Sequence, residues 1–306
     1  GHNNTRVFRE VKQLGEELER LGTSILGSAN KADVGIIFDW DNYWALEYTS
    51  GPTEDLTYVN QIHQYYQYFY NKNIGVNMIP VDADFSKYKI VVAPVLYMVK
   101  EGMKEALTEF VKNGGILITT FMSGLVNESD NVHLGGYPGP LRELAGVWVE
   151  EIDALAPEQT NTVTFADGTK VTCNLLCDLM HLEGAECLAQ YDKNFYAGMP
   201  AIARNQFGKG CTYYLGTNMN QEGIAKVLEL ATQSAGVMPV IDEQTGLEVT
   251  CRKAENCIYY FIFNFKDQEI ALPERFVGCT DLLTGETVEA GKLLNQYDAY
   301  LFAVTA

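Results

Sequence analysis

The first hydrophobic pattern in the chain has the spacing of a helix. Apolar residues recur every three or four positions from residue 7 to residue 25, and charged residues fill the other faces. Thr5 before this run and Gly22 near its end are residue types that begin and end helices, so the pattern predicts one amphipathic helix whose stripe needs a packing partner. The stripe consists of Val7, Val11, Leu14, Leu18, Leu21 and Ile25.

From residue 34 to residue 120, short apolar runs alternate with amphipathic stretches. The runs predict strands and the stretches predict helices. Their alternation at this spacing predicts an α/β fold with a doubly wound, mostly parallel sheet. The predicted strands are Val34–Phe38, Val76–Ile79, Lys89–Val95 and Gly115–Thr120, and the predicted helices are Asp55–Asn71 and Glu101–Asn113.

The pattern is less regular between residues 121 and 240. Asp130–Pro140 predicts a loop and Leu141–Gly146 a short helix. Alternating residues on both sides of Asp167-Gly168 predict a hairpin over Thr162–Cys173, because Asp-Gly is a strong hairpin signal. The remaining predictions are a strand pair, Ala201–Asn205 with Cys211–Leu215, and a helix, Gln221–Ala235, that ends at Gly236.

After about residue 241 only short strands are predicted, which indicates a small antiparallel all-β domain, either a sandwich or a barrel. We therefore expect three parts: an amphipathic linker helix within residues 1–30, the α/β domain in 31–240, and the all-β domain in 241–306. The predicted strands of the last part are Leu247–Arg252, Cys257–Phe265, Glu269–Leu272, Thr280–Leu283 and Tyr300–Val304.

Composition narrows the choice of partners and compartment. Lys and Arg number 22 against 40 Asp and Glu, a net charge of −18 that disfavours nucleic acids and anionic membranes. The 7 cysteines are odd in number and lie mostly in apolar runs, which favours reduced thiols in a cytoplasmic protein. No transmembrane segment or signal peptide is predicted, and Gly1-His2 resembles the remnant of a purification tag.

The stretch after the first predicted strand is the main candidate site. The apolar run breaks there into acids, an amide and aromatic side chains: Asp39, Trp40, Asn42, Tyr43, Trp44 and Glu47. In an open α/β sheet, the loop after the carboxyl end of a parallel strand is where ligands and partners bind. The stretch has no Gly-rich phosphate cradle, no Ser or Cys nucleophile and no adjacent His, so an interface or packing anchor is favoured over a small-ligand site.

Metal and acid–base chemistry are weaker alternatives. Cys173, Cys177 and His181 recur every four residues, but a fourth ligand is not apparent, so buried thiols are favoured and no metal or cofactor is expected. His133 is favoured as a loop residue that makes hydrogen bonds rather than as a catalytic base. His63 is favoured as a packed or interface residue.

Two enzyme classes can be weighed against the sequence. A glycosidase needs two carboxylates about 5–5.5 Å or about 6.5–9.5 Å apart, and pairs drawn from Asp39, Asp41, Glu47, Glu128 and Asp130 are not favoured for that role. The fold is also comparable to class I glutamine amidotransferases, which need a Cys on a sharp turn after a central strand. Here that strand runs into Leu96-Tyr97-Met98, so the nucleophile is absent.

Several segments carry a resemblance to a known family. They are Asn4–Val11, Ala32–Glu47, His133–Arg142, Tyr196–Ala201, Phe207–Thr217 and Asp281–Glu286. Together and in this order they resemble the β-galactosidases of glycoside hydrolase family 42, and they cover nearly the whole chain. The resemblance implies a fold in which a catalytic (β/α)₈ barrel precedes an amidotransferase-like, or flavodoxin-like, trimerisation domain and a small β domain.

The resemblance also implies a division of roles. Both catalytic glutamates of the family lie in the barrel, which this chain does not resemble, so no catalytic residue is assigned and the chain alone is expected to be inactive. The first hypothesis is a cytoplasmic homotrimerisation scaffold of a β-galactosidase, which meets its substrate only through the barrel. Trp40, Tyr43 and Trp44 would be contact anchors, with Arg6, Asp39, Asn42 and Glu47 as the polar rim.

Two alternatives come from other classes. One is a free-standing carbohydrate- or small-ligand-binding module that uses Trp40, Tyr43 and Trp44. The other is an amidotransferase-like enzyme whose nucleophile is an unrecognised cysteine such as Cys177 or Cys187.

Overall fold

The computed structural model describes residues 2–242 and 246–305. The prediction of a tag remnant at Gly1 therefore lies outside the described residues. The chain divides into two compact units. We call Ala32–Phe69 with Val76–Met238 the large unit, and Gly1–Lys31, Tyr70–Gly75 and Pro239–Ala306 the small unit.

The helices found among the described residues agree largely with the periodicity of the sequence. The α-helices are α1 (Arg6–Leu21), α2 (Trp40–Tyr48), α3 (Tyr58–Asn71), α4 (Met103–Lys112), α5 (Arg142–Ala145) and α6 (Gln221–Ala235). Short 3₁₀ helices cover Phe85–Lys87, Gly139–Leu141 and Glu274–Phe276. Within the described ranges, none of these helices has both the length and the hydrophobicity that crossing a bilayer requires.

The strands form one large sheet and two small ones. The strands of the large sheet are β1 (Val34–Ile37), β2 (Val76–Ile79), β3 (Ile90–Ala93), β4 (Ile116–Thr120), β5 (Val147–Ala154), β6 (Asn161–Phe165), β7 (Lys170–Leu182), β8 (Glu186–Tyr191), β9 (Pro200–Phe207), β10 (Gly210–Leu215) and β11 (Thr217–Met219). The strands of the small sheets are β12 (Glu248–Lys253), β13 (Cys257–Phe263), β14 (Ile270–Ala271), β15 (Leu293–Leu294) and β16 (Ala299–Thr305).

The large sheet is mixed. Its order is β11-β7-β6-β8-β9-β10-β4-β3-β1-β2, with β5 paired to β7. The pairs among β2, β1, β3, β4 and β10 are parallel, and every other pair is antiparallel. The prediction of a mostly parallel sheet is therefore wrong, because it rested on the βα alternation before residue 120, whereas the later strands, only some of which were predicted, join the same sheet mostly in antiparallel pairs.

Helices cover both faces of the parallel part. Val91, Ala93 and Leu117 pack with α4, and their neighbours in the strands point to the opposite face, where α6 lies against β3. Strands enclosed on both faces are apolar throughout, and β1, β3 and β4 are buried along their whole length. This two-sided burial is why their short apolar runs were recognisable in the sequence.

The antiparallel part closes on itself. Strand β11 is at one end of the series of paired strands β11-β7-β6-β8-β9-β10, and β10 is at the other end. Only Gly216 separates β10 from β11 in the chain, so the two ends of the series are joined. A side chain at Gly216 would lie 2.4 Å from the Met180 methyl group and 3.1 Å from the Ala201 carbonyl, so this bend is closely packed. The strands β10–β11, β7, β6, β8 and β9 therefore form a ring.

The small unit has an antiparallel core of its own. The sheet β12-β13-β16 packs with the pair β14–β15 around Phe276, which is fully buried. The predicted strand Thr280–Leu283 is absent there because the buried carboxylate of Asp281 accepts hydrogen bonds from the backbone of Leu283 and Thr284 and closes a turn. The other predicted strands of this region are confirmed in position.

Helix α1 begins and ends where the sequence predicts. The Thr5 hydroxyl accepts a hydrogen bond from the Phe8 N–H at 3.2 Å, and the Gly22 N–H donates to the Leu18 carbonyl at 3.0 Å. Leu21 at its end packs with Tyr259 and Leu301 in the small unit. The rest of the stripe, Val7, Val11, Leu14 and Leu18, is more than half exposed.

Candidate interface site

The stretch after β1 is a helix, where the sequence predicted a loop. The Asp39 carboxylate accepts a hydrogen bond from the Asn42 N–H at 3.3 Å and caps the first turn of α2. Asp41 in that first turn adds a negative charge near the positive end of the helix dipole. The loop prediction was wrong because aromatic residues surround this short helix on several sides and leave no helical periodicity.

Asn42 is completely buried, which differs from the expectation that it lies on a polar rim. Its side-chain amide donates to the Val95 carbonyl at 3.0 Å and its carbonyl accepts from the Met98 N–H at 2.9 Å. Both hydrogen bonds join α2 to the turn that follows β3. Asn42 therefore fixes the position of the candidate helix instead of contacting a partner.

That turn contains a strained residue. Val95 has a φ of +47°, a backbone conformation that β-branched residues rarely adopt. The Thr120 hydroxyl accepts a hydrogen bond from the Val95 N–H at 2.7 Å, and the Ser123 hydroxyl accepts one from the Leu96 N–H at 3.0 Å. Val95 is also fully buried.

A lysine links the turn region to the start of α2. The Lys100 ammonium lies 2.8 Å from the Asp39 carboxylate and 2.6 Å from that of Asp41. Partial burial lowers the pKa of Lys100, but its hydrogen bonds and attraction to these two carboxylates outweigh that effect and raise the pKa above its ordinary value. The two acids are thus occupied by one cation.

The outer face of α2 carries a group of aromatic side chains. Trp40, Trp44 and Tyr48 are 59%, 51% and 86% exposed, and we call these three residues the aromatic patch. The Trp40 ring packs edge-on against Phe38 with centroids 5.0 Å apart and lies 6.1 Å from the Trp44 ring. The indoles are therefore held by neighbouring rings while much of their surface stays open to solvent.

The other predicted site residues lie around or apart from this patch. Tyr43 is half-buried with its ring edge-on to Trp40 at 5.9 Å, and Glu47 is exposed. The negative charge of Glu47 raises the pKa of the Tyr43 phenol. Arg6 belongs to the small unit, where its guanidinium pairs with Glu10 on the next turn of α1 at 2.7 Å.

The alternative metal site is not assembled. Cys173 and Cys177 are buried on β7, and the Cys177 sulfur lies 3.7 Å from the Thr217 hydroxyl. His181 is bound instead to Glu150 at 2.6 Å and stacks on Trp148 with centroids 4.6 Å apart. Over residues 2–242 and 246–305, no three His, Cys, Asp or Glu side chains are grouped so that they could hold a metal ion.

The most unusual carboxylate in the large unit was not identified from the sequence as a group of interest on its own. Asp178 is fully buried, and its two oxygens accept hydrogen bonds from the hydroxyls of Tyr137 at 2.9 Å and Tyr214 at 2.8 Å. Burial raises the pKa of Asp178 to about 7, although both hydrogen bonds act in the opposite direction. The only sequence signal was an acid inside the apolar run of β7.

Comparison with known proteins identifies the family. Residues 32–238 match a family model described as "Beta-galactosidase trimerisation domain", and residues 246–300 match one described as "Beta-galactosidase C-terminal domain". The chain belongs to the β-galactosidases of glycoside hydrolase family 42. The resemblance stated from the sequence segments is therefore confirmed.

Individual relatives agree with this assignment. The chain is 44% identical over 308 aligned positions to β-galactosidase BgaA of Planococcus sp. (strain 'SOS Orange'). This alignment covers 99% of this chain and 46% of that protein. It is 47% identical to β-galactosidase LacZ of Lactobacillus acidophilus, and that alignment covers 92% of this chain and 42% of that protein.

A solved structure shows the same fold. The crystal structure of β-galactosidase from Bacillus circulans sp. alkalophilus superposes with a TM-score of 0.93 at 41% identity, over 99% of this chain and 46% of that one. The chain thus spans less than half the length of the relatives that it matches.

Proposed function

We propose that this chain is the non-catalytic part of a β-galactosidase and that it joins copies of the enzyme into a homotrimer. The observation that carries the proposal is the match of residues 32–238 to a trimerisation domain, combined with an exposed aromatic patch inside those residues. Tryptophan and tyrosine are the residues that contribute most strongly to protein interfaces. Trp40, Tyr43 and Trp44 would be the anchors, with Glu47 at the rim and Arg6 at a further contact. Asp39, expected at the rim, is buried and paired with Lys100, so it would hold α2 in place instead.

The reaction of the whole protein is proposed from its relatives. Those named above are β-galactosidases, so the substrates would be terminal β-D-galactosides. The catalytic carboxylates would lie in a barrel outside this chain, and the chain alone would not hydrolyse galactosides. No cofactor, nucleic acid or membrane partner is part of the proposal, and a cytoplasmic location would fit the free thiols found throughout the described chain.

The domain limits are also proposed. Residues 1–30 would be a linker helix from the barrel, residues 31–240 an amidotransferase-like trimerisation domain and residues 241–306 the small β domain. The exposed stripe of α1 supports the first assignment, because such a stripe is stable only against a partner. The strained Val95 turn after β3 supports the amidotransferase-like classification of the second.

The oligomeric state of the purified chain tests the proposal. Sedimentation velocity over a dilution series should give three times the monomer mass, and Trp44→Asp should shift the chain toward monomer. Leu230→Asp is the matched control, because Leu230 is also a partly exposed apolar residue of the large unit but lies on α6. A chain that remains monomeric at every concentration contradicts the scaffold role, and hydrolysis of a chromogenic β-galactoside contradicts the non-catalytic one.

A second candidate is a carbohydrate-binding module, since two half-exposed indoles on a fixed helix could stack on a sugar ring. Titration with galactose would then quench tryptophan fluorescence, and Trp44→Ala would abolish the change. Unchanged fluorescence at high galactose concentration argues against this role.

A further inference from the structure

A second exposed apolar feature lies in the loop between β4 and α5. Residues 125–133 form a tight hairpin in which Val126 pairs with Val132 and the His133 N–H donates to the Leu125 carbonyl at 2.8 Å. The Asn127 side chain closes its turn by accepting from the N–H groups of residues 129 and 131, each at 3.0 Å. This first leg of the loop is therefore held by its own hydrogen bonds.

The second leg is fixed to the ring of strands. Arg142 donates to the Gly135 carbonyl at 3.1 Å and pairs with Glu183 through two hydrogen bonds. The Tyr137 hydroxyl reaches the buried carboxylate of Asp178. Between the legs, a side chain at Gly124 would lie 2.3 Å from the Pro138 carbonyl, so the two backbones are in close contact.

Most residues where the two legs meet are exposed to solvent. We call residues 131–136 the tip; in it Val132 is 70% exposed and Leu134 is 96% exposed. Ordering the backbone costs about 1–2 kcal/mol per residue, and an exposed leucine returns none of it within this chain. A rigid loop that presents an apolar side chain is already organised for insertion into a partner.

The tip and the aromatic patch lie at the same edge of the large sheet. Asn42 of α2 binds Met98, Met98 pairs with Val126, and Val126 pairs with Val132. Each of these pairings spans about 5 Å, and two residues of chain lead from them to Trp44 at one end and to Leu134 of the tip at the other. Added together, these steps separate Trp44 and the tip by at most about 30 Å. Both features also lie within the residues matched to the trimerisation domain.

We infer that the tip of one copy packs against the aromatic patch of the next copy. This inference rests on the proposed trimer. A ring with an odd number of subunits needs two unlike faces that meet at each contact, and these two exposed apolar features are unlike. Two features that meet between neighbouring copies of a threefold ring lie at the same distance from its axis. On one copy they are then separated by about 1.7 times that distance. A separation of at most about 30 Å therefore places the axis within about 17 Å of both features.

Charge gives the contact a recognisable salt dependence. Glu128 and Asp130 at the turn of the hairpin are exposed, and Glu47, also exposed, flanks the patch. Within the described chain, neither Glu128 nor Asp130 has an ion-pair partner. Apolar burial must therefore overcome repulsion between like charges, and added salt strengthens the contact by screening it.

Complementation between two variants tests the inference. Leu134→Asp places a charge in the tip, and Trp44→Asp places one in the aromatic patch. Each purified variant should therefore associate at least about tenfold more weakly than the unmodified chain. Mixed in equal amounts, they retain one intact tip and one intact patch and should form a one-to-one dimer in sedimentation velocity. Raising NaCl from low to high concentration should tighten association of the unmodified chain at least about threefold.

The controls separate the outcomes. Tyr48→Asp replaces Trp44→Asp if the latter alters the circular dichroism spectrum, and Leu230→Asp must leave association unchanged. A trimer that survives Leu134→Asp, or a mixture that stays monomeric, overturns the inference and leaves the proposed function standing. An unmodified chain that is monomeric at all concentrations overturns both.

Discussion

The buried carboxylate of Asp178 makes the stability of the large unit depend on pH, and replacing it with asparagine should remove that dependence. Asp178→Asn keeps the shape of the side chain and removes its ionisation. The hydroxyls of Tyr137 and Tyr214 can rotate, so one can still donate to the amide carbonyl while the other accepts from the amide N–H. The variant should therefore retain the contacts while losing the cost of a buried charge.

The magnitude follows from the difference between the folded and unfolded pKa values. Burial raises the pKa of Asp178 from 3.8 to about 7. Between these values the folded chain binds the proton more tightly than the unfolded chain, so its contribution to stability is complete below about pH 4 and is lost as the pH rises to about 7. A difference of this size corresponds to a free energy of about 4 kcal/mol, which is an upper bound for one buried group.

Urea denaturation followed by circular dichroism from pH 5 to pH 8 measures this directly. The free energy of unfolding of the unmodified chain should fall across that range, while that of Asp178→Asn should change by less than about half as much. Asp82→Asn, in an exposed loop, removes the same formal charge and should keep the original pH profile. A profile for Asp178→Asn that is parallel to that of the unmodified chain would refute the reasoning.

Two further substitutions test how α2 and the loop are held. Asn42→Ala should lower the free energy of unfolding, measured in urea, by about 2–4 kcal/mol. The reason is that a buried carbonyl and a buried N–H of the turn after β3 lose their hydrogen-bond partner. A loss below about 1 kcal/mol would contradict this. Gly124→Ala should lower the thermal midpoint strongly, because its methyl group would meet the Pro138 carbonyl at a φ of +70°. Gly135→Ala, where a side chain meets nothing within 4 Å, should lower it less, and equal effects of the two would count against close packing of the loop.

The parts of the fold predictable from the sequence are those whose environment is uniform along an element. Strands β1, β3 and β4 are enclosed on both faces and are apolar throughout. Helix α1 has one stripe and two recognisable ends, so its limits were predicted to within a residue. In the three strands the local pattern and the tertiary environment agree, whereas the limits of α1 were marked by its two ends although most of its stripe is exposed.

The antiparallel ring was harder to predict because its strands are not uniform. Strand β7 changes partners along its length, with β6, β11 and β5 in turn, and Leu175 in its middle has a φ of +67°. The side chains of such a strand face different neighbours along its length, so its apolar and polar residues do not alternate with a single period. Strand β5, which pairs with β7, and strand β8, which pairs with β6 and β9, were not predicted at all.

The sequence indicated where exposed aromatic side chains lie, but not which of the residues around them are buried. The exposed indoles of Trp40 and Trp44 lie where a functional surface was expected. The burial of Asn42 could not be foreseen, because its partners are more than fifty residues away in the chain. A sequence shows which polar residues are present near a site, and only tertiary contacts show which of them point inward.

Closure of the ring through Gly216 also limits how this protein can aggregate. Free strand edges are templates on which other chains add further strands, and a ring leaves few of them. Strand β2, which ends the order of the large sheet, is only four residues long, too short to offer another chain an extended ladder of hydrogen bonds. At the ring and at β2, self-association is therefore directed away from backbone pairing and toward side chains, which can discriminate between one partner and another. Strand β5, which pairs only with β7, and strands β12 and β16 at the ends of the small sheet are the longer edges.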